Sequence, residues 1–399
     1  MQRFDDDERR RRLGVRHRLA AGTRDDDVVA AAASVVALHG TDPGSTFLAA
    51  WARTEGVGVA EVERALYDDR TLVRVMAMRR TVFVVPTGDA PVLTSGAGDD
   101  VAREERRKLV KLLTDAGVVV DPAGWLAEVE PVAMAVFAEL GDVTPADLVA
   151  ADERLAQVVL IAPGTRNETS VRLASRLLTV LAAEGKIVRG RPRGSWTSMQ
   201  FRWSAMDRWA PSAAVVMDPV EAETTLARRW LSRFGPATEA DLTWWTKWTK
   251  TRTRRALAAA GAIEIDLGGT FGLALPDDLE PTAPVEPWGA LLPALDPTTM
   301  GWKGRDWYLG DHGTALFDIN GNAGPTVWWD GRIVGGWAHL PTGEIAMTLL
   351  DDIGTEAEAA LETRADDLAR QIGDTRLTAR ARGYSPVERD LLGRTTGRL

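Results

Sequence analysis

The sequence predicts a protein of the α+β class, with three tandem winged-helix domains followed by a small C-terminal β-barrel. One observation behind this prediction is a pattern of helix, turn, helix and two-stranded hairpin that occurs twice, about 70 residues apart. The other is a C-terminal stretch rich in glycine, tryptophan and hairpin dipeptides, which is typical of short antiparallel strands. The predicted domains span residues 12–120, 121–212, 213–282 and 283–399.

The N-terminal third of the chain is predicted to be a further copy of the same module. Apolar periodicity predicts three helices, Asp27–Leu38, Gly44–Glu55 and Val59–Asp69. An alternating pair of strands follows and turns at Arg79-Arg80. The module therefore has the same succession of helices and hairpin as the two copies that follow it.

A polar cluster, "HGTDP" at residues 39–43, separates the first two predicted helices. Gly40 can end a helix, Asp42 can cap the next one, and Pro43 suits a first helical turn. Capping alone does not require a histidine and a threonine two residues apart. The cluster is therefore either a helix boundary or a small polar site.

The two clearer copies of the module lie in the middle of the chain. In the first, an amphipathic helix ends at Gly185, and a strand over Lys186–Val188 leads through a turn-rich segment into a strand over Met199–Trp203. In the second, a capped helix begins near Thr238. The elements predicted after it are a helix and two strands, Lys250–Ala260, Ala262–Leu267 and Phe271–Leu275. Winged helices bind DNA and also serve as protein–protein modules, so both uses are open on the pattern alone.

The C-terminal region is predicted to be a small barrel or curled sheet. Asn320-Gly321 and Asp330-Gly331 mark hairpin turns between apolar runs. A helix is predicted over Thr355–Ile372. The tryptophans Trp244, Trp245, Trp248, Trp328 and Trp329 are predicted to lie in the core rather than to stack on bases.

Composition excludes several classes of site. The 399 residues include no cysteine, so disulfides and thiolate metal sites are excluded. The four histidines, His17, His39, His312 and His339, lack ligand spacing, so we expect no metal. No apolar run approaches membrane length, and the N-terminus is charged from its start, so we expect a cytoplasmic protein with no membrane partner.

The charge pattern predicts a basic face on an acidic body. The net charge is −9, but two stretches are strongly basic. The residues predicted to contact DNA phosphates are Lys186, Arg189, Arg191 and Arg193 in the first stretch and Lys247, Lys250, Arg252, Arg254 and Arg255 in the second. These clusters favour nucleic acid over protein as the partner of the hairpin modules.

Three strings carry a resemblance to a known family. They are "LHGTDPGSTFLAAWAR", "LLPALDPTTMGWKGRDWYLG" and "GNAGPTVWWDGRIVGGWA". Together with the helix-and-hairpin units between them, they resemble the AlkZ/YcaQ-like winged-helix DNA glycosylases, from about Arg12 to about Ile372. The resemblance implies a concave body that holds double-stranded DNA, and hydrolysis of the N-glycosidic bond of alkylated purines, including bulky adducts and interstrand crosslinks. It also implies chemistry without a cofactor.

The family carries its catalysis on a Gln-x-Gln or Gln-x-Asp motif near the end of an early helix. The matching positions in this chain are His39 and Thr41, so neither glutamine is present. The candidate catalytic residues are His39, which could position a water molecule and accept its proton, Thr41, which could orient that water, and Asp42, which could supply negative charge beside a cationic sugar.

The function predicted from the sequence is a monofunctional DNA glycosylase that acts on N7- or N3-alkylated purines as a monomer. An alternative is a catalytically silent winged-helix protein that binds DNA or senses damage, with the glutamine pair lost. A protein–protein module on the same fold is a further alternative. His39 and Thr41 side chains that converge in one cleft would favour the enzyme, whereas a His39 pointing into bulk solvent would exclude the catalytic role.

Overall fold

The computed structural model describes residues 2–165, 168–377 and 383–394. It is a mixed α/β fold of helices and small sheets, in which every pairing between the described strands is antiparallel. Hairpins join most of the paired strands, and among the described residues no helix crosses over a parallel sheet, which agrees with the predicted class. Among the helices of these ranges, none is long and apolar enough to cross a membrane.

The N-terminal region (residues 2–98) contains a three-stranded sheet in the order β1-β3-β2. Its elements are α1 (Asp6–Arg16), α2 (Val28–Ala33), β1 (Leu38–His39), α3 (Pro43–Trp51), α4 (Val59–Glu63), β2 (Leu72–Ala77), β3 (Thr81–Pro86) and α5 (Ala90–Leu93), with π-helical turns at Arg64–Asp68 and Thr94–Gly98. The predicted strand pair is present as the hairpin β2–β3.

The predicted first helix is wrong over its second half. The helix α2 ends at Ala33, and Val36 takes a left-handed backbone conformation with a φ of 64°. The chain then forms the short strand β1, in which Leu38 and His39 pair with β3. A continuous apolar run fits a buried helix or a buried strand equally well, so periodicity alone did not separate the two.

The second region (residues 99–205) and the third region (residues 206–275) each end in a two-stranded hairpin. The second consists of α6 (Asp99–Asp115), α7 (Pro122–Leu140), α8 (Pro145–Ala151), β4 (Val158–Ile161), β5 (Thr169–Arg172), α9 (Leu173–Ala183), β6 (Ile187–Pro192) and β7 (Phe201–Ala205). The third consists of α10 (Met206–Trp209), α11 (Pro219–Phe234), α12 (Glu239–Thr246), α13 (Lys250–Ala259), β8 (Ile263–Leu267) and β9 (Thr270–Ala274). Both predicted hairpins are present, and Thr238 caps α12 as predicted.

The C-terminal region (residues 289–394) has an open sheet. Its elements are β10 (Gly289–Leu292), α14 (Asp306–Leu309), α15 (Gly313–Leu316), β11 (Thr326–Trp329), β12 (Arg332–His339), β13 (Ile345–Leu349), α16 (Thr355–Ile372) and α17 (Pro386–Leu391). The four strands run in the order β10-β11-β12-β13, and within the described residues the edge strands do not pair with each other. The predicted closed barrel is therefore wrong. Four short strands leave two edges, and α16 packs against both edge strands instead.

Buried side chains connect three of these regions. One large hydrophobic cluster is drawn mainly from the N-terminal, third and C-terminal regions, and a separate cluster belongs to the second region. An ion pair lies inside the larger cluster. Arg53 at the end of α3 donates to both carboxylate oxygens of Asp296 at 2.6 and 2.9 Å, and both side chains are fully buried. This pair fixes the segment after β10 against the helix that follows the polar cluster.

Candidate functional site

His39 lies at the end of β1, opposite Phe83 of β3. The next residue, Gly40, donates its backbone N–H to the carbonyl of Val82 at 2.7 Å. A Cβ at Gly40 would stand 3.1 Å from a methyl of Val84 and 3.3 Å from the Val82 carbonyl, so this close approach favours glycine. The His39 side chain is 8% exposed. It therefore neither ends a helix nor points into bulk solvent.

His39 and Thr41 line one cleft of about 280 Å³, where three regions meet. The N-terminal region contributes Ala37, His39, Thr41, Arg79, Arg80, Thr81 and Phe83, the third region Trp245, and the C-terminal region Leu295, Pro297, Met300 and Asn322. Two of the residues predicted to be catalytic thus share a cavity. The string "LLPALDPTTM" supplies Leu295, Pro297 and Met300 to this lining, and Arg53 binds the same segment through Asp296.

Thr41 is held by the neighbouring hairpin. Its side-chain oxygen accepts the backbone N–H of Val82 at 3.1 Å, which fixes the hydroxyl at the cleft wall. A hydroxyl that accepts one hydrogen bond still has its own hydrogen to donate. Thr41 can therefore act as a donor toward a group in the cleft.

Asp42 has a different environment. It is the N-cap of α3, and its carboxylate accepts the backbone N–H of Gly44 at 3.2 Å. It lines a second cavity, together with Ser45, Thr197 and His339, rather than the cleft of His39. The structure thus separates Asp42 from the other two predicted catalytic residues, and its carboxylate serves the helix terminus.

The tip of the β2–β3 hairpin brings two arginines to the cleft that the sequence analysis treated only as a turn. Arg79 and Arg80 both have left-handed backbone conformations, with φ of 57° and 59°. The turn between the paired residues Ala77 and Thr81 is three residues long, Met78–Arg80, and each residue with a Cβ in the left-handed conformation costs roughly 1–2 kcal/mol. Arg80 pairs with Glu105 at 2.8 Å. The sequence signal that could have identified these cleft residues was the presence of two adjacent arginines at the predicted hairpin turn.

Arg79 and Arg305 both lie over one aromatic ring, and we call them the arginine pair. The guanidinium carbons lie 4.2 and 5.0 Å from the ring centre of Trp244 in α12. Burial, and secondarily the charge of Arg305, lower the pKa of Arg79 to about 10. Within residues 2–165, 168–377 and 383–394, no carboxylate lies within ion-pair distance of either guanidinium. The two arginines thus place two positive charges at one ring, and the described part of the chain supplies no carboxylate to either.

Five of the nine cations predicted to contact DNA are engaged in ion pairs within the protein. These pairs are Lys186 with Glu130 and Glu184, Arg191 with Glu63 and Asp68, Arg252 with Asp100 and Glu223, Arg254 with Glu239, and Arg255 with Glu223. Exposed ion pairs contribute only about 0–1 kcal/mol, so the exposed members can still exchange a carboxylate for a phosphate. Their contribution to DNA binding stays a prediction.

The other four predicted cations have no carboxylate partner in the part of the chain that the structure describes. Arg193, Lys247 and Lys250 are exposed. Arg189 lies under the rings of Phe201 and Trp203, at 5.1 and 5.3 Å. Burial, and then the charge of Arg74, lower the pKa of Arg189 to about 10.

Two of the remaining histidines, His17 and His312, are engaged in contacts within the protein. His17 is buried, with hydrogen bonds to the Thr298 hydroxyl and the Arg233 carbonyl, and burial holds its pKa well below the usual value. His312 pairs with Asp351. In the described ranges, no group of three or more histidine, aspartate or glutamate side chains is arranged to hold a metal ion.

Comparison with known proteins gives one family and one well-matched fold. A sequence model of the family described as "DNA glycosylase AlkZ-like" matches residues 32–371. The "Interstrand DNA cross-link repair glycosylase" of Streptomyces sahachiroi is 26% identical over 213 residues, which is 51% of this chain and 56% of that protein. The match thus spans about half the length of this curated relative. The solved structure of Streptomyces sahachiroi DNA glycosylase AlkZ is similar with a TM-score of 0.70 at 20% identity, over 94% of this chain and 98% of that one, which shows the fold.

Proposed function

This chain belongs to the AlkZ-like DNA glycosylase family, and on that basis we propose that it is a monofunctional glycosylase that removes N7- or N3-alkylated purines from double-stranded DNA. Bulky adducts and interstrand crosslinks are included, because the Streptomyces sahachiroi relative is described as a cross-link repair glycosylase. The observation that carries the proposal is that His39 and Thr41, at the positions of the family's motif, line one cleft.

The proposed chemistry needs little acid assistance. Alkylation at N7 or N3 leaves the purine positively charged, so the base departs with the electrons of the glycosidic bond and becomes neutral. A water molecule then forms the new bond to the anomeric carbon and loses a proton. His39 would position this water and accept that proton, and the Thr41 hydroxyl would orient it. Asp42 has a capping role in this proposal, since it lines another cavity.

The lining of the cleft agrees with attack by water rather than by an amine. None of the described residues that line it is a lysine, so no Schiff-base nucleophile faces the same space as His39. The volume of about 280 Å³ is close to the lower end of ligand pockets, about 300 Å³, and suits one base rather than a duplex. A nucleotide with a single small adduct would therefore be turned out of the helix to react.

The rest of the molecule would hold the duplex. In this proposal the three helix-and-hairpin modules, residues 12–120, 121–212 and 213–282, are winged-helix domains that contact the DNA backbone as one monomer. The exposed cations Arg193, Lys247 and Lys250 support this role. The succession of helices before each hairpin supports the division, as does the match to the AlkZ fold.

The test is a base-release assay on duplex DNA with a single N7-alkylguanine, in which abasic sites are detected by cleavage with alkali. We expect His39→Ala to lower the rate of release by about 10²- to 10⁴-fold, the usual contribution of a general base, with unchanged DNA affinity. His312→Ala, at a histidine paired with Asp351 outside the cleft, is the matched control and should keep full activity.

A catalytically silent DNA-binding protein is the second candidate, and the replacement of both motif glutamines by His39 and Thr41 favours it. That protein would bind the damaged duplex and release no base from N7-alkylguanine, N3-alkyladenine or a crosslinked substrate. Equal rates for the wild type and His39→Ala would also contradict the proposed role of His39.

A further inference from the structure

The arginine pair has a geometry that the proposed chemistry does not use. Arg79 is carried on the β2–β3 hairpin tip and Arg305 on the segment before α14, so two distant parts of the chain meet over Trp244 of α12. Arg79 also lines the cleft of His39 and Thr41. Arg305 donates to the sulfur of Met300, another lining residue, at 3.8 Å.

Both guanidinium carbons lie within 5.0 Å of the same ring centre, so the two like charges are at most about 9 Å apart and repel each other. Most arginines that the structure describes near the third region have a carboxylate partner, as Arg252 does with Asp100 and Glu223. For Arg79 and Arg305, no described carboxylate takes that place. Burial and the charge of Arg305 both disfavour the protonated form of Arg79, so an external anion that binds beside the pair would stabilise that form.

The chemistry of the anion follows from the donors and their location. Guanidinium groups bind phosphate oxygens through two parallel N–H donors, and contact with Trp244 holds both side chains at the same aromatic ring. The anion that comes to this cleft in the proposed reaction is a phosphodiester of the strand that carries the damaged base. We propose that Arg79 and Arg305 form a phosphodiester clamp on the linkage beside the nucleotide that is turned into the cleft.

This inference rests on the proposed function for its substrate, but it concerns DNA binding and can be tested without base release. The probe is a set of duplexes with an abasic-site analogue, each with one linkage near the analogue replaced by an uncharged methylphosphonate. Affinity is measured for the wild type, Arg79→Gln, Arg305→Gln and Arg79→Lys, with Arg64→Gln as a control at an exposed arginine outside the cleft.

The clamp predicts a position-specific result. The wild type should lose about tenfold in affinity when one of the linkages flanking the analogue is neutral, the amount expected for a charged hydrogen-bonded contact. Arg79→Gln and Arg305→Gln should bind the unmodified duplex about tenfold more weakly and should not weaken further at that linkage. Their salt dependence should fall by about 0.9 in the slope of log K against log salt. Arg79→Lys should keep the salt slope, and Arg64→Gln should behave as the wild type.

Free phosphate is the other source of the same chemistry, and a second arm separates it. Inorganic phosphate at constant ionic strength should compete with DNA no better than chloride if the clamp needs the backbone. Competition by phosphate in the wild type and not in Arg79→Gln would assign the pair to a free anion and overturn the clamp. Equal losses for the wild type and Arg79→Gln at every linkage, with thermal unfolding unchanged, would overturn it as well.

The two proposals fail separately. If the protein releases no base but the linkage effect is present, the glycosylase proposal fails and the clamp stands. If base release depends on His39 but neutral linkages have no effect in the wild type, the clamp fails and the glycosylase proposal stands.

Discussion

Trp244 and Trp248 belong to the same short sequence, "TWWTKWTK", and each has an arginine over its ring, but the two sites are completed differently. Over Trp248, Arg252 lies at 5.2 Å from the ring centre and pairs with Asp100 at 2.6 Å and Glu223 at 2.8 Å. We call this the carboxylate-closed site. Its charges are satisfied within the protein, and it joins α11, α13 and the start of α6.

Over Trp244, the arginine pair has no such carboxylate among the described residues. The same elements, a tryptophan and nearby guanidinium groups, thus give a structural ion-pair contact in one place and the proposed phosphodiester contact in the other. The comparison teaches that the count of arginines in a stretch does not measure its available charge. The charge that a basic stretch offers to a ligand depends on whether acidic residues from elsewhere in the chain pair with its arginines.

The largest expected effect comes from adding a carboxylate beside the arginine pair over Trp244. Met300→Glu would place a carboxylate beside Arg305, which already contacts the Met300 sulfur at 3.8 Å. Because the new carboxylate would occupy the pair and repel phosphate, we expect about a 100-fold loss in affinity for duplex DNA. Fluorescence anisotropy with a labelled abasic-analogue duplex measures it. Met300→Gln is the matched neutral control, and equal affinities for the two variants would show that the pair does not bind DNA.

Removing one carboxylate from the carboxylate-closed site is expected to lower the free energy of unfolding by about 2 kcal/mol. Glu223 is only 3% exposed and forms ion pairs with Arg252 and Arg255, so Glu223→Gln leaves two guanidinium groups with fewer partners. We expect the free energy of unfolding in urea to fall by about 2 kcal/mol. Arg79→Gln breaks no ion pair and should change it by less than about 1 kcal/mol.

The control for this prediction is Glu239→Gln, which removes the exposed pair with Arg254. Surface pairs of this kind contribute about 0–1 kcal/mol, so its unfolding curve should stay close to that of the wild type. A loss for Arg79→Gln as large as that for Glu223→Gln would mean that both tryptophan sites are structural, and the contrast between them would disappear.

The sequence predicted the local parts of this molecule well. The helix over Thr355–Ile372 and the strand pair predicted over Ala262–Leu267 and Phe271–Leu275 follow from local periodicity within a few residues. The three strings quoted in the sequence analysis predicted the AlkZ-like family, and the family model confirms it. His39 and Thr41 were singled out because they occupy its motif positions, and the structure brings them to one cleft.

The rest depends on contacts between distant residues, which a single sequence does not reveal. His39 is in a strand because β3, more than 40 residues later, offers a partner. Lys186 and Arg191 are ion-paired because the fold brings Glu130 and Glu63, which belong to helices elsewhere in the chain, next to them. The prediction of one basic face did not take these acidic residues into account.

The smallest expected effect concerns pH and again separates the two sites. Burial, reinforced by Arg305, lowers the pKa of Arg79 to about 10, and a bound phosphate would favour its charged form. The free protein therefore loses this proton at a lower pH than the complex, and the advantage of the wild type over Arg79→Gln in DNA affinity should fall as the pH rises through about 10. Half deprotonation at the pKa corresponds to about a twofold smaller ratio at pH 10 than at pH 8. The ratio between the wild type and Arg252→Gln, measured at the same constant ionic strength, corrects for other titrating groups. If the Arg79 ratio were the same at pH 8 and pH 10, the pair would keep its protons without DNA, and only the absence of a described carboxylate would then distinguish it from the closed site.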